Sequence, residues 1–375
     1  MIDAASYQRL SGLIRKESLQ IVRDPSSIAI AFVLPVVLLF LFGYGVSLDA
    51  RNIPIGIVVE QPDAGTQSFT GSFEQSDYFL PLYFQTIQDA EKAMELSTIE
   101  GIVWLKNDFA RKLFSAQQAV IAVRVNGVNS NQANLTLGYI RGTWLSWITQ
   151  YAQARGVKME MPIQLEHRIW FNPAVSSRLF LVPGVLAIIM TLIGTLLTAM
   201  VVAREWDRGT MEALFVTPLR NVEFIAGKLI PYFILGMASL FLNFFLAIWL
   251  FQVPFEGSFW LLLITGSLYM LVSLAVGLLI SVVAKSQFVA GQIAIITGFL
   301  PAFILSGFIF DIHSMPTAIQ LITHIVPARY YVAILQTLFL AGDVWPVILA
   351  NGSALLIMLV VFSWLVAKKT RKSLE

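Results

Sequence analysis

The chain has 375 residues, 57% hydrophobic and only 13% charged, with 25 Lys/Arg against 23 Asp/Glu. A typical soluble protein is about 45–50% apolar and about 25% charged, so this balance, with a mean hydropathy of +0.74, points to a membrane protein. A net charge of +2 carries no signature of nucleic-acid binding, and the absence of cysteine excludes thiol catalysis, Cys-ligated metal and disulfide staples.

In residues 1–24, Leu10, Leu13, Ile14, Leu19, Ile21 and Val22 are interleaved with Arg9, Arg15, Lys16 and Arg23. This pattern predicts an amphipathic interfacial helix able to meet anionic lipid. The apolar run that follows, within 25–48, is too long for a signal h-region and reads as an uncleaved anchor. A bilayer core takes ~20 apolar residues as a helix. Six stretches satisfy this, near 28–48, 179–203, 229–252, 259–284, 288–310 and 345–367, with Trp260, Trp345 and Trp364 near their ends.

Residues 49–178 hold 12 Asp/Glu and 11 Lys/Arg and read as a soluble α/β domain inserted after the first span. Strands are expected at Ile53–Val59, Leu82–Gln85, Ile99–Leu105 and Val120–Val125, and an extended segment at Gln164–Trp170. Helices are expected at Ile87–Leu96, from Asn107 or Asp108 to Ala116, and at Asn131–Ala154. Trp144 and Trp147, three apart on the last helix, suit either core packing or a groove for an apolar partner. The domain carries no G-x-S-x-G or H-E-x-x-H, and His167 stands alone. No catalytic, cofactor or metal site is expected in this chain.

Between two long apolar runs, Val201–Lys228 reads VVAREWDRGTMEALFVTPLRNVEFIAGK. Arg204, Glu205, Asp207, Arg208, Glu212 and Arg220 are too many charges for a lipid-facing segment, so 204–222 is expected in water as a docking surface. Met211, Leu214 and Phe215 at i, i+3 and i+4 predict one apolar stripe on a short helix begun by Thr210 and stopped by Pro218. The order Glu205, Gly209, Thr210, Glu212, Leu214, Thr217, Pro218 resembles the coupling loop of type-2 ABC exporter permeases, E-x-x-x-G-T-x-E-x-L-x-x-T-P.

A seventh apolar stretch, Ala318–Ala341, contains His324, Pro327 and Arg329 and is expensive to place in hydrocarbon. Basic residues at both ends of the chain, Arg9 to Arg23 and Lys368 to Lys372 in the 368–375 tail, put both termini in the cytoplasm by the positive-inside rule. That demands an even number of spans, so 311–341 is expected to be re-entrant. Leu305-Ser306-Gly307-Phe308, then Met315-Pro316, then Pro327-Ala328-Arg329-Tyr330-Tyr331, is similar to the broken outer helices of the same family.

The expected architecture is therefore an α-helical polytopic membrane protein, six transmembrane helices with an inserted extracytoplasmic α/β domain. Spans two to six fill 179–367. The resemblance implies a permease subunit of an ATP-driven exporter in the bacterial inner membrane. It implies ATPase coupling through Glu205, Gly209, Thr210, Met211, Glu212, Leu214, Phe215, Thr217 and Pro218, and a re-entrant segment marked by Gly307, Pro316, Pro327, Arg329 and Tyr330. The chain lacks G-x-x-x-x-G-K-[ST], so ATP and Mg would sit on separate cytoplasmic ABC ATPase subunits. Further expected partners are a second permease copy or paralogue, the lipid bilayer, and a periplasmic adaptor, but no nucleic acid. Few polar side chains lie within the spans, and no carboxylate is placed for a proton relay, which suits efflux of amphipathic or hydrophobic, drug-like or lipid-like cargo. An alternative is a non-transporting membrane receptor or tether acting through the external domain.

Overall fold

A computed structural model describes residues 4–45, 52–114, 119–128, 130–154, 156, 171, 176–210, 221–284 and 286–369. The chain divides into two compact units, one made of Met1–Ser47 with Ile169–Glu375, the other of Leu48–Arg168.

The smaller unit is an α/β sandwich with strands β1 (Ile53–Val59), β2 (Phe79–Phe84), β3 (Gly101–Leu105) and β4 (Ile121–Val125), in the order β2-β1-β3-β4. The central strand β1 runs parallel to β2 and β3, while β4 is antiparallel to β3. Being covered on both faces, β1 is apolar along its whole length instead of alternating. One face packs Ile55 and Ile57 against Phe69, Phe73, Ile140 and Trp147; the other packs Val58 and Ile102 against Ala90, Ala93 and Ile99. The helix Ile87–Glu95 begins at a Thr86 cap, whose hydroxyl accepts from Asp89 N–H.

One helix was not expected. Ala64–Glu74, AGTQSFTGSFE, is rich in Gly, Ser and Thr, all weak helix formers. Two features outweigh propensity. Asp63 and Thr66 form a reciprocal capping box, and Phe69 and Phe73, one turn apart, are fully buried under the sheet. Trp147 stacks on Tyr151 and donates to Ser68 Oγ at 3.0 Å in this same core, whereas Trp144 is 39% exposed. The two tryptophans thus divide between core and surface. His167 and the segment Gln164–Trp170 lie outside the described residues.

The larger unit is helical. Among the described residues, six helices are long and apolar enough to cross a membrane, and they are numbered here as spans 1 to 6: Pro25–Gly45, Ser177–Asp207, Val222–Trp249, Phe259–Ala284, Gln287–Leu305 and Trp345–Lys369. Burial ranks them: 89% of the most apolar stretch of span 2 is buried, against 28% for span 1, 22% for span 5 and 11% for span 6. Span 2 is therefore the central post, and the others present lipid-compatible faces.

Close approach around that post depends on small residues. A Cβ on Gly277 of span 4 would sit 2.5 Å from Thr195 O and 2.9 Å from Gly194 O, and one on Gly298 of span 5 would lie 3.1 Å from Thr195 Oγ1. Spans 1, 2 and 5 each contain a wider π-type turn, at Ala29–Val33, Ile193–Leu197 and Ala294–Phe299. Thr191 and Thr195 return their hydroxyls to the carbonyls four residues back, which satisfies both in the apolar interior.

After span 5, Gly307 takes a left-handed φ of 84°, which reverses the chain and seats Phe308 against Phe42 and Phe303. Two helices follow, Thr317–Thr323 and Pro327–Leu340, bent by 83° at their junction. Pro327 at the first position of the second helix removes an amide that would have no partner there. Arg329 braces the corner: its Nη1 donates to Thr323 Oγ1, reaches Gln320 O at 3.4 Å and lies 3.0 Å from His324 Nδ1. Tyr330 adds a bond from its hydroxyl to His324 O at 3.0 Å. Arg329→Leu removes these charge-assisted bonds and is expected to cost about 2 kcal/mol, read as a lowered unfolding temperature in detergent with the six-span helix content unchanged.

Candidate functional site

Five of the sequence-predicted functional residues, Arg9, Lys16, Glu205, Gly209 and Thr210, lie where the end of span 2 meets the amino-terminal helix Ala4–Val22 and the start of span 3. Leu13, Glu17 and Ile21 repeat every four residues on one face of that helix, and all three are buried. Leu13 closes on Gly227, where an added Cβ would stand 3.1 Å from Leu13 Cβ, so the glycine permits the contact.

Glu17 is thus carried into a nearly dry crevice and meets Lys228, which is 1% exposed. Lys228 Nζ lies 2.6 Å from Glu17 Oε1 and 2.6 Å from Glu205 Oε1. Lys16 Nζ adds a second cation at 2.8 Å from Glu205 and 4.0 Å from Glu17. Two carboxylates and two ammonium groups therefore neutralise one another, which is how Glu17, Glu205 and Lys228 remain charged while buried, with Lys16 closing the cluster from the solvent side. Thr210 completes the shell by donating its hydroxyl to Glu205 Oε2.

Two further ion pairs flank the cluster. Arg9 grips Glu223 in a fork, Nη2 to Oε1 at 3.0 Å and Nε to Oε2 at 3.3 Å. Arg204 Nη2 reaches Asp24 Oδ2 at 3.4 Å, and Asp24 caps the start of span 1 through Ser26 N–H at 3.1 Å and Ser27 Oγ at 2.8 Å. Burial raises the Asp24 carboxyl, but the hydrogen bonds of Ser26 and Ser27 and the Arg204 charge outweigh it and hold it below its ordinary range. Span 4 joins through Ser281 Oγ, which accepts from Val202 and Ala203 N–H at 2.9 and 3.0 Å. Span 5 joins through Gln287 N–H, which donates to Asp207 Oδ2 at 2.7 Å.

Span 2 then ends in a Schellman cap: Gly209, with φ 67°, donates to Trp206 O at 3.1 Å, and Thr210 N–H donates to Glu205 O at 3.0 Å.

Several expectations change here. Arg204 and Glu205 are not in water: they lie on span 2 itself, 6% and 4% exposed, because ion pairing within protein replaces hydration. Thr210 turns its hydroxyl back toward Glu205, and Gly209 is the helix-ending residue. Met211, Glu212, Leu214, Phe215, Thr217 and Pro218 lie outside the described residues. Of the basic side chains expected on the amino-terminal helix, Arg9 and Lys16 are held by Glu223 and Glu205, Arg15 is exposed, and Arg23 is exposed just past the helix end. Glu17, Asp24, Glu223 and Lys228 were not singled out. The available signal was an acid on the apolar face of an otherwise basic helix, and a lysine one turn inside an apolar run.

A second feature lies deeper in the same unit. A cavity of about 390 Å³ opens among spans 2, 4 and 5 and the bent pair, largely apolar but edged by Thr191, Thr195, Tyr269, Ser273 and Thr297. Tyr269 and Tyr331 stack beside it with ring centroids 4.2 Å apart.

The sequence also has informative relatives. It matches YbhS of Escherichia coli K12, named a probable multidrug ABC transporter permease, with 43% identity over 371 residues, 99% of this chain and 98% of that one. YbhR of the same organism, with the same description, is 29% identical over 357 residues, 92% and 96% of the two chains. The inner membrane transport permease YhhJ of the same strain is 26% identical over 276 residues, 72% and 73% of the two chains. The family model described as "ABC-2 family transporter protein" matches residues 25–368, from the first residue of span 1 almost to the end of span 6. With this match and six helices apolar and long enough to cross a membrane, the chain belongs to the ABC-2 transporter family and is a multi-pass membrane permease of the type-2 ABC class.

Proposed function

We propose that this permease exports amphipathic or hydrophobic, drug-like or lipid-like molecules, driven by ATP and Mg bound to separate cytoplasmic ATPase subunits that dock on the segment after span 2, 208–222. The observation that carries this is the cluster around Lys228. It fastens the start of the docking segment to spans 2 and 3 and to the amino-terminal helix. A force applied at 211–220 would then move span 2, the central post, as a rigid lever. Association with ATPase subunits is a property of the family; the segment that receives them is the part proposed here.

Cargo class is supported by the apolar cavity with its rim of hydroxyl groups, whose chemistry suits a molecule with an apolar body and a few polar atoms. The names of the YbhS and YbhR relatives point the same way. Both termini are assigned to the cytoplasm from the basic residues at each end, and the smaller unit to the outside. Six spans call for a second permease copy or paralogue, and the apolar, poorly buried spans 1 and 5 suit that contact. A periplasmic adaptor would engage the smaller unit.

Co-purification with the ATPase subunit tests the docking assignment. Wild type is expected to co-elute, and Glu212→Arg combined with Leu214→Asp to lose at least tenfold in bound ATPase, the effect of removing one anchor of about 1.4 kcal/mol or more. Equal co-elution would place the docking surface elsewhere.

A further inference from the structure

The ionic cluster has an open flank that the pairs described above do not fill. Beside it lies a cavity of about 610 Å³ bordered by Lys16, Arg23, Asp24, Arg204, Arg208 and Gln287. Four cations thus face one carboxylate. Asp24 is already engaged by Ser26, Ser27 and one nitrogen of Arg204, and Lys16 is engaged by Glu205. Arg23 and Arg208 have no carboxylate within ion-pairing distance among the described residues. Arg204 is 6% exposed, and its Nε is buried with no hydrogen-bond partner among the described residues. Arg204 lines the cavity as well, so an anion there would stand beside a guanidinium that Asp24 meets only at 3.4 Å.

The surroundings indicate what kind of acceptor fits. Pro25 and Ser26, the first residues of span 1, form part of the wall, so the cavity sits where an apolar span begins. From there Val33, Val37 and Leu41, spaced four apart along span 1, are 58%, 54% and 52% exposed. Leu19 on the wall and Phe288 beside Gln287 are 47% and 73% exposed. An anionic group in the cavity would thus have an apolar track leading directly away from it along the helix.

We infer that this cavity binds the phosphate headgroup of an anionic phospholipid, with Arg23, Arg204 and Arg208 around the phosphate and the acyl chains lying along span 1. Arginine suits this role because its planar fork matches phosphate oxygens. The lipid would rest against the Arg204–Asp24 pair, and so against the amino-terminal helix, span 1 and span 2 together. It is distinct from cargo, whose proposed cavity lies among spans 2, 4 and 5. The inference requires only that the chain spans a membrane and does not depend on the docking of an ATPase.

The test uses the full-length chain in nanodiscs of phosphatidylcholine containing a minor fraction of phosphatidylglycerol, transferred to mild detergent and examined by native mass spectrometry. Wild type is expected to retain phosphatidylglycerol selectively. Arg23→Gln and Arg208→Gln change exposed residues and are expected to lower that retention about fivefold each, with the unfolding temperature in pure phosphatidylcholine unchanged. Arg15→Gln, on the amino-terminal helix and not on the cavity wall, is expected to leave retention as in wild type. Undiminished retention in the double variant would overturn the inference, as would an equal loss in Arg15→Gln, which would indicate diffuse charge. Displacement of the lipid by inorganic phosphate alone would overturn the lipid assignment and identify a site for a soluble phosphate ligand.

Discussion

Lys228→Met is expected to lower the stability of the chain by about 3–5 kcal/mol, the cost of stripping one partner from a buried charge assembly. The size follows from what stays behind. Lys228 is the ammonium at 2.6 Å from both Glu17 and Glu205, all three side chains being 5% exposed or less. Lys16 would still neutralise Glu205 from 2.8 Å, but it stands 4.0 Å from Glu17 and is itself half in solvent. Glu17 would be left as an unpaired acid on the apolar face of the amino-terminal helix, and that helix should lift from span 3. Yield of monodisperse protein and protease cutting within residues 4–22 read this directly. A second variant separates lost pairing from general damage. Glu17→Gln added to Lys228→Met removes the stranded charge and is expected to recover a large part of the loss. If the double variant is no better than Lys228→Met alone, the cluster is not what holds the helix.

Gly277→Val is also expected to be strongly damaging, by a different route. The side chain would have to enter the space between span 4 and span 2, where backbone oxygens of Thr195 and Gly194 stand 2.5 and 2.9 Å from its first atom. Backbone atoms cannot turn aside as a flexible side chain can, so the helices must separate. Overpacking typically costs about 1–3 kcal/mol, and the upper part of that range or more is expected because span 2 is the central post. The comparison substitution is Gly291→Ala in span 5. Its Cβ would be 4.0 Å from Leu196 Cδ1, ordinary contact, and removing a mid-helix glycine should stabilise by about 0.5–1 kcal/mol. Unfolding temperatures should therefore move in opposite directions for the two glycines. Similar losses at both would show that helix–helix distance at Gly277 is not limiting.

The glycine contrast also shows which features were legible. Six spans were evident because ~20 apolar residues in a row have few alternatives to crossing a bilayer. Span limits were less so: span 2 continues to Asp207, beyond the apolar run, because Arg204 and Glu205 find partners inside the protein. The strands at Ile53–Val59 and Ile121–Val125 and the helix Ser130–Ala154 were close to expectation, since β-branched runs and long apolar periodicity are local signals. The helix Ala64–Glu74 was hidden because its support is tertiary, two phenylalanines under a sheet whose strands come from elsewhere in the chain.

For the candidate site the division is similar. Composition, charge asymmetry and the 204–222 motif carried the membrane class, the permease family and the segment where coupling is proposed. They did so because each depends on residue types in short order along the chain. No local pattern could tell that Glu17 would meet Lys228, 211 residues away, or that Arg204 would turn to Asp24 across 180 positions. A charge has no preferred partner until packing brings one within reach and removes the water that competes for it. Only the tertiary structure therefore decided that Glu17 of the amino-terminal helix, Glu205 of span 2 and Lys228 of span 3 form one buried assembly, closed by Lys16.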